Sequence, residues 1–348
     1  MNNIIRPHLD VRFSVNHILI RDISGLVYVF DKDGNYLNYI GEIGRGPGEF
    51  KNSNGFIEIQ KDGKAVVVIL PFERNQLYFY TFDNQFLGSK RLDNYAMELT
   101  SMQNSPVLIN TLGTRHESNY YALNIVSNEG KLIKRELHLP KERKFSKDIM
   151  VNGILNYYKH KDTLYYWEQG YETVYQIVPN SFGVIPKFDL IVGEENTKWP
   201  IADHTREKMM SQDTRYFRDY NHIDNFQETS TYGFLKISRK GRLHHVLYNK
   251  STTESVSVQY QDPIKRTQTH FAFRNDIDGG MPFWPMGKVD DNTMFMLIDG
   301  FELKEYLEKH SDSTETILDP DARERLIKQA EATSMEDNPI LMMVTFKS

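Results

Sequence analysis

Short apolar runs alternate with polar turns along this chain, and one arrangement keeps returning. It first reads Leu26-Val27-Tyr28-Val29-Phe30, a turn at Asp31-Lys32-Asp33-Gly34-Asn35, then Tyr36-Leu37-Asn38-Tyr39-Ile40. Runs of this length, rich in Val, Tyr and Phe and bounded by Asp, Asn, Ser and Gly, are strands joined by hairpin turns. The same strand–turn–strand unit recurs at 77–87, 121–133, 173–185 and 245–258. With Gly34, Asn84, Glu129, Ser181 and Thr252 as turn markers, the intervals are 50, 45, 52 and 71 residues. Three of these match one four-stranded propeller blade, for which repeats of roughly 40–50 residues are usual.

The long interval contains a polar stretch without Gly or Pro, about 203–218, opened by Asp203 as an N-cap; it reads as an inserted helix. Removing it restores the period. A sixth unit is expected after Gln259, with strands at Phe271-Ala272-Phe273 and Met294-Phe295-Met296-Leu297-Ile298. Two helices follow, about 301–309 and 320–333. Asp319 and Pro320 start the second, and Ala322, Leu326, Ile327 and Ala330 form its apolar stripe. The chain closes on the buried-strand pattern Pro339-Ile340-Leu341-Met342-Met343-Val344-Thr345-Phe346. The expected fold is therefore all-β: a six-bladed β-propeller filling 1–348 as a single domain, with a short helical insertion and C-terminal helices before the closing strand. Because unpaired sheet edges invite aggregation, the segment His8 to Phe13 and the strand at Ile340 to Phe346 are expected to share the closing blade.

Composition agrees with strands: aromatics are 12%, including 20 Tyr and 20 Phe. Net charge is −5 and no basic run is present, so a nucleic-acid surface is not expected. The chain has no Cys, which excludes disulfides, thiolate zinc sites and a cysteine nucleophile within it. No apolar stretch approaches the ~20 residues that span a bilayer. Met1-Asn2-Asn3-Ile4-Ile5-Arg6 carries no signal-peptide core, so either the chain is cytosolic or a leader has been removed.

Several segments are less generic. Val29-Phe30-Asp31-Lys32-Asp33-Gly34 is followed by Gly44-Arg45-Gly46-Pro47-Gly48-Glu49-Phe50. Near the other end lie Asn275-Asp276-Ile277-Asp278-Gly279-Gly280 with Pro282-Phe283-Trp284-Pro285, then Glu336-Asp337-Asn338-Pro339-Ile340-Leu341. In these pieces, which span both ends in order, the chain resembles the six-bladed β-propeller family of exported bacterial lipoproteins, distantly similar to NHL-type propellers. The resemblance implies lipid-anchored export to the periplasm or cell surface. The anchor cysteine is absent from this chain, so the membrane would be touched only through that missing anchor. No shared activity comes with the resemblance.

The candidate chemistry is sparse. Asp31 to Asn35 opens like a calcium loop, but strand residues 36–40 intervene before Glu42, and a hairpin turn explains it better. Gly44 to Gly48 could cradle a phosphate with Arg45; without the Lys-Ser/Thr of a P-loop, it reads better as a blade-connecting loop whose Arg45 and Glu49 pair with neighbouring blades. Asp276, Asp278 and Trp284 could grip a sugar or a cation, or simply hold a turn. Arg115-His116-Glu117 sits in a loop that could face a central channel or only solvent. His244 and His245, adjacent on a strand, point to opposite faces and cannot share an ion. No metal spacing, Gly-x-Ser-x-Gly elbow or His-Glu-x-x-His pair is present, and no cofactor is expected.

The ligand-binding candidates are thus Arg45, Glu49, Arg115, His116, Asp276, Asp278 and Trp284. Alanine at Arg45, Arg115 or Trp284 is expected to weaken ligand capture and leave the fold intact. The leading reading is a binding or scaffold propeller contacting a glycan, peptide or envelope protein through one face. An alternative is a propeller enzyme, such as a polysaccharide lyase or lactonase-like hydrolase, using channel-lining His, Arg, Tyr and Asp. A third reading is a structural subunit docking a partner through its helices.

Overall fold

The computed structural model describes residues 8–72, 75–92, 96, 98–102, 105–109, 121–127, 129, 131–138, 155–168, 173–192, 221–239, 242–261, 269–310, 317–334 and 337–347. Its sheets are the blades of a six-bladed β-propeller fold: five of four antiparallel strands in meander order and a sixth of three. The chain forms two compact units, Arg6–His222 and Ile223–Ser348.

In the first unit, blade 1 is His8–Phe13, Ile18–Asp22, Val27–Phe30 and Tyr36–Ile40. Blade 2 is Ser53–Lys61, Lys64–Pro71, Gln76–Tyr80 and Phe86–Arg91. Blade 3 is Glu98–Met102, Ser105–Ile109, Tyr121–Val126 and Leu132–His138. Blade 4 is Leu155–His160, Thr163–Glu168, Thr173–Ile177 and Val184–Asp189.

Every strand–turn–strand unit read from the sequence is the outer hairpin of one blade. In blades 1 to 3 the turns are alike because the first turn residue uses both its backbone and its side chain. Asp31 N donates to Asn35 O at 3.0 Å, Thr81 N to Gln85 O at 3.0 Å, and Ser127 N to Lys131 O at 2.7 Å. The Asp31 carboxylate also accepts from the amides of Asp33 (2.9 Å) and Asn35 (2.8 Å), while the Thr81 and Ser127 hydroxyls accept from Gln85 and Lys131. Gly34 closes the first turn at φ 85°, a left-handed conformation that glycine adopts without strain. Asp31 to Asn35 is thus a turn held by its own carboxylate, whose pKa those Asn35 contacts push down.

Strand alternation explains how the blades stack. In Lys64–Pro71 the apolar run 66–70 is buried on both sides. Val67 and Ile69 pack with Leu19, Val29 and Phe56 beside blade 1, while Val66, Val68 and Leu70 pack with Leu99 and Val126 of blade 3. A central strand sandwiched between neighbours reads as a continuous apolar run for this reason. Blades 3 and 4 meet through Met102, Val107, Leu164 and Tyr166.

The second unit holds blade 5 (His222–Glu228, Tyr232–Arg239, Arg242–Asn249, Ser255–Ser257), whose first residue lies at the unit boundary, and blade 6 (Gly287–Lys288, Thr293–Ile298, Ile340–Thr345). The expected strand at Phe271-Ala272-Phe273 is reduced to an isolated bridge between Phe273 and Phe283. Helices α1 (Gly300–Lys309) and α2 (Pro320–Ala332) lie where the pattern placed them. Asp299 caps α1 by accepting from Phe301 N, and Asp319 caps α2 by accepting from Ala322 N, both at 2.8 Å. Of the apolar stripe on α2, Ala330 is buried and Leu326 half-buried against Leu303 and Leu307, but Ile327 stays exposed. The inserted helix expected at about 203–218 lies outside the described residues.

The expected sharing of one blade by the two terminal strands is not formed. His8–Phe13 pairs with Ile18–Asp22, and Ile340–Thr345 pairs in full register with Thr293–Ile298. Each terminal strand instead completes the hairpin beside it, which satisfies its inner edge locally.

Candidate functional site

The first strands of blades 1 to 4 converge within the Arg6–His222 unit, and their polar side chains meet there. Arg12 carries the junction. On blade 1, its Nε donates to Asp10 Oδ2 at 2.9 Å. Its Nη2 reaches across to the carbonyl of Leu99 on blade 3 at 3.0 Å, and its guanidinium lies 5.1 Å from the centre of the Phe56 ring on blade 2. Arg21, directly opposite Asp10 in the strand register, donates from Nη1 to Ser53 O at 2.7 Å. Its Nε–H is buried and has no acceptor among the described residues. On blade 4, Tyr157 bonds to the Glu98 carboxylate of blade 3, and Lys159 Nζ lies 3.3 Å from Ser101 Oγ. Asp10, Arg12, Arg21, Glu98, Tyr157 and Lys159 thus form one polar hub.

Within the hub three cations lie near Asp10 and Glu98, with Asp22 acting on Arg21 and Asp162 on Lys159 from its margin. Burial and the neighbouring Arg12 charge both hold Arg21 below its usual range, despite Asp10. Lys159 is likewise lowered by desolvation and by Arg12, although its side chain reaches water. A group can be wetted and still poorly solvated when protein walls replace much of its hydration shell. Burial is the largest influence on Arg12 and lowers it, but the charge and hydrogen bond of Asp10 together with Tyr157 and Glu98 leave it raised. Desolvation pushes Glu98 upward, so it holds its proton to a higher pH than a free carboxylate. Tyr157 is pushed up by burial and then by Glu98, so its hydroxyl stays protonated and donates.

Arg45 is exposed on the glycine-rich loop, and Glu49 lies beneath it. Glu42–Ile43 and Glu49–Phe50 pair in parallel across the loop. The Glu49 carboxylate accepts from Gly46 N at 2.7 Å, and a Cβ on Gly44 would overlap it. The backbone donor that could have cradled a phosphate therefore already faces the loop's own carboxylate.

Asp278 accepts from Asn275 Nδ2 at 2.7 Å and from Gly280 N at 2.9 Å, shaping its own turn. Asp276 contributes its backbone carbonyl to Leu318 N, and Arg323 of α2 donates to Gly279 O at 2.8 Å. Replacing Asp278 with Ala should lower unfolding free energy by about 1 kcal/mol, the usual net worth of such turn bonds; an unchanged denaturant midpoint would contradict this. Trp284 is 9% exposed and sits in the core. It stacks on His245 at 4.1 Å between ring centres and on Phe273 at 5.7 Å. His245 Nδ1–H bonds to the Phe271 carbonyl, and burial lowers its pKa. Arg115 and His116 lie outside the described residues. Of the candidates read from the sequence, none is among the hub residues, which the sequence reading did not single out.

A family model for a domain of unknown function, DUF4934, matches residues 1–345. A crystal structure of a "putative exported protein" from Bacteroides fragilis superposes with a TM-score of 0.68 at 18% identity, covering 99% of this chain and 92% of that one. That likeness is one of fold. Virginiamycin B lyase from Staphylococcus aureus (TM-score 0.40, 13% identity, 76% and 74% covered) and a protein of unknown function from Bacteroides caccae (0.40, 10%, 74% and 82%) are too distant to support any inference. No curated protein matches the sequence.

Proposed function

The chain belongs to the DUF4934 family, and from its hub we propose that it is an exported binding or scaffold propeller of the cell envelope. The observation that carries this reading is the hub itself: polar and charged groups drawn from three blades, packed around one arginine, with a buried donor left over. A fold built only for stability gains little from such groups, since buried ion pairs are often no better than apolar packing. Convergent polar groups on a rigid scaffold are instead what a ligand site requires. Export to the periplasm or cell surface, with a lipid anchor, is part of the same proposal. It is supported by the resemblance of the sequence and by the name of the Bacteroides fragilis relative. A glycan, a peptide or an envelope protein would be the partner.

The enzyme reading is less well supported at this site. A tyrosine acting as general base needs a lowered pKa, and Tyr157 is shifted the other way. The test is capture of glycans and peptides on arrays by the whole chain, followed by two variants. Lys159→Ala should weaken the dominant signal about tenfold with an unchanged thermal transition, and Arg45→Ala should leave it intact. The opposite pattern would move the ligand to the glycine-rich loop and overturn the hub as the site.

A further inference from the structure

We propose that the hub recognises an oxyanion, a carboxylate or sulfate group on a small ligand, held between Arg21, Arg12 and Lys159. This rests on the hub being the binding site, and it names the chemistry of what binds there.

The case starts from charge arrangement. The Arg12 charge acts on both Arg21 and Lys159 and lowers the pKa of each, so two like-charge repulsions share one centre. Asp10 and Glu98 lie among these cations, with Asp22 near Arg21 and Asp162 near Lys159. Among the described contacts only Asp10 is bonded to one of them, and Asp22 accepts instead from Ser24 and Tyr28. Asp10 takes the Nε and Nη2 of Arg12 at 2.9 Å. Glu98 is tied to the Tyr157 hydroxyl and favours its proton. A bound oxyanion would relieve both repulsions at once.

Donor geometry supports the same conclusion. Arg21 spends Nη1 on Ser53 O and keeps a buried Nε–H with no acceptor among the described residues. A guanidinium edge offers parallel donors that suit the two oxygens of a carboxylate or sulfate. An unmatched buried donor costs roughly 1–3 kcal/mol unless something accepts from it. Lys159 adds an ammonium that reaches solvent, bonded here only to a neutral hydroxyl at 3.3 Å among the contacts described. Like Arg21, it has no carboxylate bonded to it among the described contacts, and being exposed it is placed to meet an entering anion.

The titratable groups around the site set a pH dependence. Asp10, Arg12, Arg21 and Asp22 come from blade 1, Glu98 from blade 3, Tyr157 and Lys159 from blade 4, with Asp162 near Lys159. Raising the pH ionises Glu98 and later strips the Lys159 proton; both changes work against an anion. Affinity should therefore fall as pH rises.

Calorimetric titration of the whole protein with sodium glucuronate, its neutral methyl ester and inorganic sulfate tests the proposal. Glucuronate is expected to bind at least tenfold more tightly than the ester, and to weaken with added salt and with rising pH. Sulfate binding alone would identify a free anion as the ligand, and glucuronate binding above sulfate an acidic sugar. Arg21→Met and Lys159→Met should each cost about tenfold, with Lys159→Arg retaining affinity and all thermal transitions alike. Equal binding of the ester, still lost in Lys159→Met, would overturn the oxyanion and leave the hub as the site. Glucuronate binding untouched by both methionine variants would overturn the hub. Failure of glucuronate and sulfate to bind at millimolar concentration would overturn the proposal outright.

Discussion

Trp284→Ala is expected to lower the unfolding free energy by about 3–5 kcal/mol, the range for removing a buried large aromatic. Trp284 is part of the core cluster with Phe234, Val258, Phe283 and Met294. Its ring is stacked on His245 and Phe273, with Phe234 at its edge 6.1 Å away and 76° inclined. Truncation would leave a void between blade 5 and the 271–284 segment, whose own strand pairing is the single bridge joining Phe273 to Phe283. Urea denaturation followed by circular dichroism would measure the loss. Trp284→Phe, which keeps a ring in the stack, should cost much less, about 1.5 kcal/mol or under. A midpoint for the alanine variant within error of the parent would show that the stack does not order this region. One consequence concerns function: loss of ligand capture in Trp284→Ala would report a damaged core, so this substitution cannot serve as the fold-preserving probe that the sequence suggested.

The outer hairpins were legible because their information is local. Asp31, Thr81 and Ser127 each close a turn with their own side chains, and such residues announce themselves between apolar runs. The α2 cap at Asp319 and Pro320 was legible for the same reason. The hub was not, because its members are distributed. Arg12, Glu98 and Tyr157 belong to three blades, and each taken alone is an ordinary polar position on a strand. Only the stacking of blades brings them together. A usable signal existed in the period: Arg12 precedes the marker Gly34 by 22 positions, Tyr157 precedes Ser181 by 24, and Glu98 precedes Glu129 by 31. Counting back from each turn to the first strand of its blade, and asking which polar residues stand there, would have grouped them. Trp284 misled for the opposite reason. A tryptophan among Gly, Pro and Asp reads as a loop residue, whereas Phe234, His245 and Phe273 come from elsewhere in the chain and bury it.

Gly48→Ala should destabilise the first unit by about 2–4 kcal/mol, adding the strain of a left-handed alanine to the cost of overpacking. Gly48 has φ +79°, and a Cβ there would lie 2.7 Å from Cγ of Phe86. The Phe86 ring cannot yield easily, since it is in edge contact with Tyr78 at 5.4 Å and tilted against Tyr80 at 5.3 Å. Tyr80 in turn donates its hydroxyl to the carbonyl of Gly48, and burial holds that phenol well above its ordinary pKa. One glycine therefore locks the loop after blade 1 onto the outer hairpin of blade 2. Gly46→Ala tests the other half of the loop. Its Cβ would fall 2.8 Å from Glu49 Oε1, the end of a flexible side chain that can swing aside. The cost there should stay near 1 kcal/mol, about that of one displaced hydrogen bond. Guanidinium denaturation of both variants separates the two roles. If Gly46→Ala proved the more damaging, the carboxylate of Glu49, and not the aromatic lock on Gly48, would be what holds the loop in place.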